Sequence, residues 1–246
     1  MKRIFLESHN INNRAGGLGT FNFELIKAMA AQPADGMELH LNAKHPEELK
    51  ALYGDRFRYH KYSSLQRHPL FRIKTRYDLW HSLNQNTKIE PFFKSKYLLT
   101  VHDVNFVEEV SSNMNDKHNQ RFIKKLERAD AITYISEFAK KQAHSYFKIP
   151  NVPEYIIYNG NPISAVADTS QYKPTVPVDV PFLYSIGDFQ ERKNFLAVIK
   201  MIAVMPGGLN LILSGNDSHE YGTVVKEYIA EHKLGHRVFL TGKVDE

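Results

Sequence analysis

The stretch Phe182–Asn216, FLYSIGDFQERKNFLAVIKMIAVMPGGLNLILSGN, carries the pattern from which the fold is read. Phe182–Ile186 is an apolar run of strand length. Leu196–Met205 is apolar at helical spacing, and Leu209–Ser214 is a second strand-like run. A strand, a crossover helix and a strand in that order predict parallel pairing, because parallel strands need a long connection between them. Going outward, Tyr221–His232 reads as the next helix and Val238–Thr241 as a third strand. Toward the N-terminus the same alternation repeats. Strands are predicted near Arg3–Glu7, Met37–Asn42, Arg56–His60, Asp78–Leu83, Tyr97–Val101, Ala131–Ile135 and Glu154–Tyr158, with helical stretches between them. The prediction is an α/β chain with parallel sheets wrapped by helices.

Between the two series lies Ser164–Pro181, which contains three prolines and has no periodicity, so it reads as a linker. The organisation predicted is a domain over residues 1–163, a linker over 164–181 and a second unit over 182–246. Three strands and two helices are half of a doubly wound domain. The second sheet is therefore expected to expose an apolar edge and a helix-packing face, as in a truncated chain or a fragment.

The chain has 246 residues, 42% of them hydrophobic and 24% charged, enough to bury a core in each unit. It has no cysteine, which excludes disulfides, thiolate catalysis and Cys-based zinc sites. No segment has the ~20 consecutive apolar residues of a membrane-spanning helix, and the basic start followed by a short apolar run does not read as a signal peptide. The expected location is the cytoplasm. A net charge of +5 favours polyanionic partners. Arg67, Arg72, Lys74 and Arg76 are interleaved with Leu70, Phe71 and Ile73, and Arg121, Lys124, Lys125 and Arg128 with Phe122, Ile123, Leu126 and Ala129. Both read as amphipathic helices with basic outer faces, which are either solvated or in peripheral contact with a membrane.

Three segments could carry chemistry. The loop Asn10–Gly19 follows a strand and opens a helix predicted to pack through Phe21, Leu25, Ala28 and Met29. Its Gly16 and Gly17 would let a ligand approach backbone N–H groups at the helix N-terminus, and a tight structural turn is the other reading. The dinucleotide fingerprint fails, since Asn22 stands where a third glycine belongs. His102-Asp103 follows the strand Tyr97–Val101. Strand carboxyl ends face the ligand crevice of a parallel sheet, so the pair could polarise a substrate hydroxyl or simply cap local backbone. Arg192-Lys193-Asn194 precedes a helix, with Asn194 as the expected N-cap. Two cations at a helix's positive end are mutually unfavourable unless they hold a polyphosphate or reach into water. Ser136, followed by Glu137, reads as a further N-cap. No spacing typical of a metal site occurs, and a metal is not expected.

In their order, AGGLGTFNFELIKAMA, TVHD, ADAITYISEFAKKQ, YNG, SIGDFQERKN, LILSGN and VFLTGKVDE resemble the GT-B glycosyltransferases of the retaining family-4 type, and the resemblance covers the whole chain. It implies two Rossmann-like doubly wound domains facing across a cleft, the second present here as its first half. The N-terminal domain would be mostly the acceptor side and the C-terminal one would bind the nucleotide sugar. The implied activity is metal-independent, retaining transfer of a hexose from a nucleotide diphosphate sugar, as co-substrate, to a saccharide or lipid-linked acceptor in surface polysaccharide assembly. Gly16 and Gly17 match the loop near the donor phosphates, His102 and Asp103 the catalytic strand end, and Lys193 the lysine that neutralises the departing diphosphate. Asn159 and Gly160 of YNG fall in the acceptor or sugar vicinity. Asp188 follows Gly187 where many members have an arginine, so Arg192 would supply the second cation. The family's two glutamates that hold ribose and sugar lie past Glu246. A non-catalytic chain that binds a nucleotide or a partner protein is the alternative, and nucleic acid is not an expected partner.

Overall fold

The computed structural model describes residues 1–14, 16–161 and 168–243. The chain divides into two compact units, Met1–Ser164 and Ala165–Glu246. Residues 164–167 of the predicted linker, and the end of VFLTGKVDE, lie outside the described residues. From Asp168 to Pro181 there is no helix or strand, only a turn closed by Tyr172 N–H donating to Thr169 O.

The first unit is built on a seven-stranded sheet in the order β3-β2-β1-β4-β5-β6-β7, with every neighbouring pair parallel. Its strands are β1 (Lys2–Glu7), β2 (Met37–Ala43), β3 (Arg58–Lys61), β4 (Leu79–Ser82), β5 (Lys96–Val101), β6 (Ala131–Tyr134) and β7 (Glu154–Ile156). The helices are α1 (Gly17–Ala30), α2 (Pro46–Tyr53), α3 (Phe106–Glu109), α4 (Lys117–Leu126) and α5 (Glu137–Tyr146). Successive side chains of β1 serve opposite faces, as a strand buried on both sides requires. Phe5 stacks on Trp80 with ring centroids 4.1 Å apart, while Leu6 joins Ile26, Leu39 and Leu41 in the other core cluster. Strand order reverses between β1 and β4. The carboxyl ends of those strands therefore flank the topological switch point, where open α/β sheets leave a crevice.

The second unit has a three-stranded parallel sheet in the order β10-β9-β8, formed by β8 (Phe182–Ile186), β9 (Asn210–Ser214) and β10 (Val238–Gly242). Helices α6 (Phe195–Val204) and α7 (Glu220–Glu231) connect them. β9 is buried throughout, whereas Phe182, Leu183, Tyr184 and Ile186 of edge strand β8 are exposed.

Three local expectations are corrected. Residues 67–76 form no helix: Pro69 separates two short 3-10 turns, Ser64–Arg67 and Pro69–Phe71, and Ile73 then bridges to Pro91. Helix α1 does pack Phe21, Leu25 and Met29 against the core, but its most buried residues are Gly19, Asn22 and Ile26, and Ala28 is exposed. Helix α4 is amphipathic, but Lys125 belongs to its buried face. Its ammonium meets Glu90 Oε1 at 2.7 Å and donates to Ser82 Oγ at 2.9 Å and Tyr97 OH at 3.0 Å, while Arg128 donates to Glu90 Oε2 at 2.9 Å. Ser136 does cap α5, accepting from Ala139 N–H at 3.1 Å.

Burial holds the imidazoles of His40, His60, His81 and His102 below their ordinary pKa, that of His81 down to about 4. Once unfolded, these rings titrate near 6.5, so between those values the unfolded chain binds more protons and stability rises with pH. Lowering the pH from about 7 to about 5 should cost about 2 kcal/mol of unfolding free energy, measured by urea titration. His81→Gln should flatten that slope. A flat profile for the unaltered chain would show that these rings are not held neutral.

Candidate functional site

The first group of candidate residues surrounds the switch point of the first unit. Gly16 is the N-cap of α1 in extended backbone, without a side-chain cap, and the first turn carries no acid. Helix geometry leaves the N–H groups of Gly17 and Leu18 without an intrahelical acceptor, so an anion is favoured there. A Cβ placed on Gly17 would meet nothing within 4 Å, so the space beside it is open. Gly19 is different, since a Cβ there would lie 1.8 Å from Asn13 O. Gly19 is thus the glycine that packing demands, Gly16 lies in ordinary contact with Asn13, and Gly17 is the one that leaves room.

His102 stands at the end of β5, and its ring meets Phe21 of α1 edge-on, with centroids 4.5 Å apart. Its Nε2 lies 2.9 Å from Leu83 O, in the turn after β4. A carbonyl only accepts, so Nε2 carries the proton. Burial lowers the pKa of the ring; the Leu83 contact and the charge of Asp103 oppose that shift only in part. The imidazole is therefore neutral near pH 7, with its Nδ1 lone pair as an acceptor. Asp103 Oδ1 accepts from Asn105 N–H at 3.4 Å, ahead of α3. His102 is thus anchored to local backbone through Nε2, a contact that does not use its Nδ1.

Sequence reasoning missed the residues that hold His102. Buried Gln85 accepts from His102 N–H at 3.1 Å and donates to Asp103 O at 2.8 Å, clamping the end of β5 to the loop after β4. Glu7, at the end of β1, is buried and pairs through Oε1 with His9 Nδ1, while its Oε2 has no partner. The available signal was polar residues clustered directly after strands: Glu7-Ser8-His9 and Asn84-Gln85-Asn86. Asn159 and Gly160 follow β7 and are exposed.

The second group lies wholly in the second unit. After β8, Gly187 N–H donates to Ser214 O at 2.9 Å, and Phe189 N–H to Asn216 O at 2.9 Å. Gly215 has φ 141°, and a Cβ on it would lie 1.8 Å from Gly187 O, so the turns after β8 and β9 interlock. Arg192 and Lys193 belong to the exposed 3-10 turn Glu191–Lys193. The Lys193 stem runs along Gly187, where an added Cβ would sit 3.4 Å from Lys193 Cε. Arg192 Nε donates to Gln190 Oε1 at 3.0 Å. Asn194 precedes α6 as expected, but in left-handed backbone (φ 51°) and without a side-chain cap. Tyr221 OH accepts from Leu196 N–H at 3.1 Å instead, a contact between consecutive helices that no local pattern reveals. Among the described residues, no group of three or more His, Asp or Glu is arranged to hold a metal ion.

No protein-family model matches this chain, and no curated protein matches it. Solved structures do. Sucrose-phosphate synthase from Thermosynechococcus elongatus superposes with a TM-score of 0.69 at 19% identity, over 100% of this chain and 71% of that one. Anabaena HepE in complex with UDP and glucose gives 0.70 at 16% identity, over 99% of this chain and 70% of that one. The lipopolysaccharide outer core galactosyltransferase WaaB, in its apo form, gives 0.57 at 16% identity, over 100% and 69%. From the parallel sheets to the switch-point loops, the chain has the GT-B fold of these glycosyltransferases.

Proposed function

We propose that the chain acts in transfer of a hexose from a nucleotide diphosphate sugar to a saccharide or lipid-linked acceptor, in the cytoplasm and in the service of surface polysaccharide. The observation that carries this reading is the fold likeness along the full chain to HepE, solved with UDP, glucose and UDP-glucose, together with a lysine braced on Gly187 at a strand's carboxyl end.

On the second unit, the exposed Lys193 ammonium would meet the diphosphate, with Arg192 as the second cation. As the bond from the anomeric carbon to phosphate oxygen breaks, its electron pair leaves with the diphosphate. A fixed cation there stabilises charge that grows in the transition state, commonly the largest catalytic effect an enzyme has. The reading includes retention of configuration and no requirement for a metal. On the first unit, the glycine turn would bring Gly17 and Leu18 N–H to phosphate oxygen, while Gly16 N–H is given to Asn13 O at 3.2 Å. The neutral His102 would accept a hydrogen bond from a sugar hydroxyl at Nδ1, with Asp103 and Gln85 holding its position.

The test is incubation with radiolabelled UDP-glucose, with and without EDTA, following UDP release and transfer to sugar and lipid-linked acceptors, alongside calorimetry with UDP. UDP binding with release that EDTA leaves unchanged is the expected result. Binding without release would leave a non-catalytic nucleotide-binding chain. Neither binding nor release, with a panel extended to other nucleotide sugars, would remove the reading.

A further inference from the structure

The loop that replaces the expected basic helix has a distinctive surface. No Asp or Glu stands between Asp55 and Asp78, while Lys61, Arg67, Arg72, Lys74 and Arg76 do. The acids that border this ground are engaged elsewhere. Asp78 Oδ2 accepts from Arg3 N–H at 2.7 Å, and Glu90 turns inward to Lys125 and Arg128. A groove beside the loop is lined by Lys61, Gln66, Leu70, Phe71, Arg72 and Lys74 among others.

Its apolar side chains are unusually open. Leu70 is 79% exposed, Leu65 55%, Phe71 53% and Phe92 50%. Phe92 shares this surface, because its N–H donates to Ile73 O at 3.0 Å and the Ile73–Pro91 bridge holds the two segments side by side. Cations sit directly on the rings: Lys74 Nζ is 5.6 Å from the Phe92 centroid, and the Arg76 guanidinium carbon 4.0 Å from that of Phe93. Leu and Phe presented beside Lys and Arg, with no acid among them, match the boundary of an anionic bilayer. There apolar side chains enter the acyl margin while long cationic stems reach headgroup phosphates.

We propose that this face of the first unit docks on anionic phospholipid bilayers, with Leu70, Phe71 and Phe92 entering the interface and Arg67, Arg72, Lys74 and Arg76 at the phosphates. Charge complementarity selects an anionic surface, and the open leucines select lipid over nucleic acid, since a polynucleotide would leave Leu65 and Leu70 in water. The inference stands on this surface alone and does not depend on the transfer reaction.

The test is flotation of the full chain with vesicles of phosphatidylcholine alone and of phosphatidylcholine with phosphatidylglycerol, at low and physiological salt. A single-stranded oligonucleotide is measured alongside by fluorescence anisotropy. Binding is expected only with phosphatidylglycerol, weakened by salt without being abolished. Leu70→Glu with Phe71→Glu should reduce it about tenfold or more, and Arg72→Gln with Lys74→Gln by a similar factor, with unchanged melting curves. Should the double Glu variant not fold, Leu70→Ser with Phe71→Ser supplies the same comparison. Indifference to lipid charge, unaltered binding by the apolar variants, or tighter binding to the oligonucleotide would each overturn the proposal.

Discussion

Replacing Lys125 with alanine is expected to lower the unfolding free energy by about 3–5 kcal/mol, the largest stability effect of any single change outside the apolar core. Lys125 is 2% exposed and lies between the carboxylate of Glu90, the phenol of Tyr97 and the hydroxyl of Ser82. Burial alone would depress its pKa, but Tyr97 and Glu90 outweigh that and raise it, so the ammonium persists inside the protein. Removing it takes the buried cation from Glu90, which keeps only Arg128 and the Tyr97 hydroxyl, and deprives Ser82 Oγ and Tyr97 OH of their donor. The measurement is a urea titration followed by fluorescence of the single tryptophan, Trp80. Lys125→Met combined with Glu90→Gln should recover much of the loss, because a buried pair removed together costs far less than one partner removed alone. A loss for Lys125→Ala below about 1 kcal/mol would falsify the view that this cation holds the sheet to α4.

In an active enzyme, Lys193→Ala is expected to slow transfer by about 10²–10³-fold with little change in melting temperature. The side chain is exposed and contributes no buried contact, so stability should be indifferent to it. The discriminating readout is binding by calorimetry. UDP should bind about tenfold more weakly to the variant, while uridine, which has no phosphate, should bind equally to both. Lys193→Arg should be intermediate, since a planar guanidinium on the same stem keeps the charge and changes its reach. Equal loss of UDP and uridine affinity would point to a disturbed turn after β8 and away from a phosphate contact.

The parallel sheets were legible in the sequence because apolar runs, helical spacing and the proline-rich break are local patterns. β8, for instance, occupies the span its apolar run predicts. Partnership across sequence distance was not legible. Lys125 looked like one more cation on a solvated face, yet the residue that buries it, Glu90, comes from a loop 35 positions earlier, which no helical periodicity can see. Similarly, the glycine turn was visible, but which glycine packing requires depended on Asn13 O reaching the start of α1. At the candidate site, strand-end placement found His102. Its tautomer and its clamp came from Leu83 and Gln85, residues 19 and 17 positions away in sequence. The basic run at residues 67–76 was misread because alternating charge and apolar residues imitate helical spacing, while Pro69 removes the N–H that a helix interior needs.

Gly19 brings the first coil of α1 into direct contact with Asn13 O of the turn after β1. Phe21 lies two residues further along the helix, with its ring meeting that of His102 edge-on. The helix whose start leaves the side of Gly17 open thus also supplies the aromatic edge against which the imidazole at the tip of β5 rests.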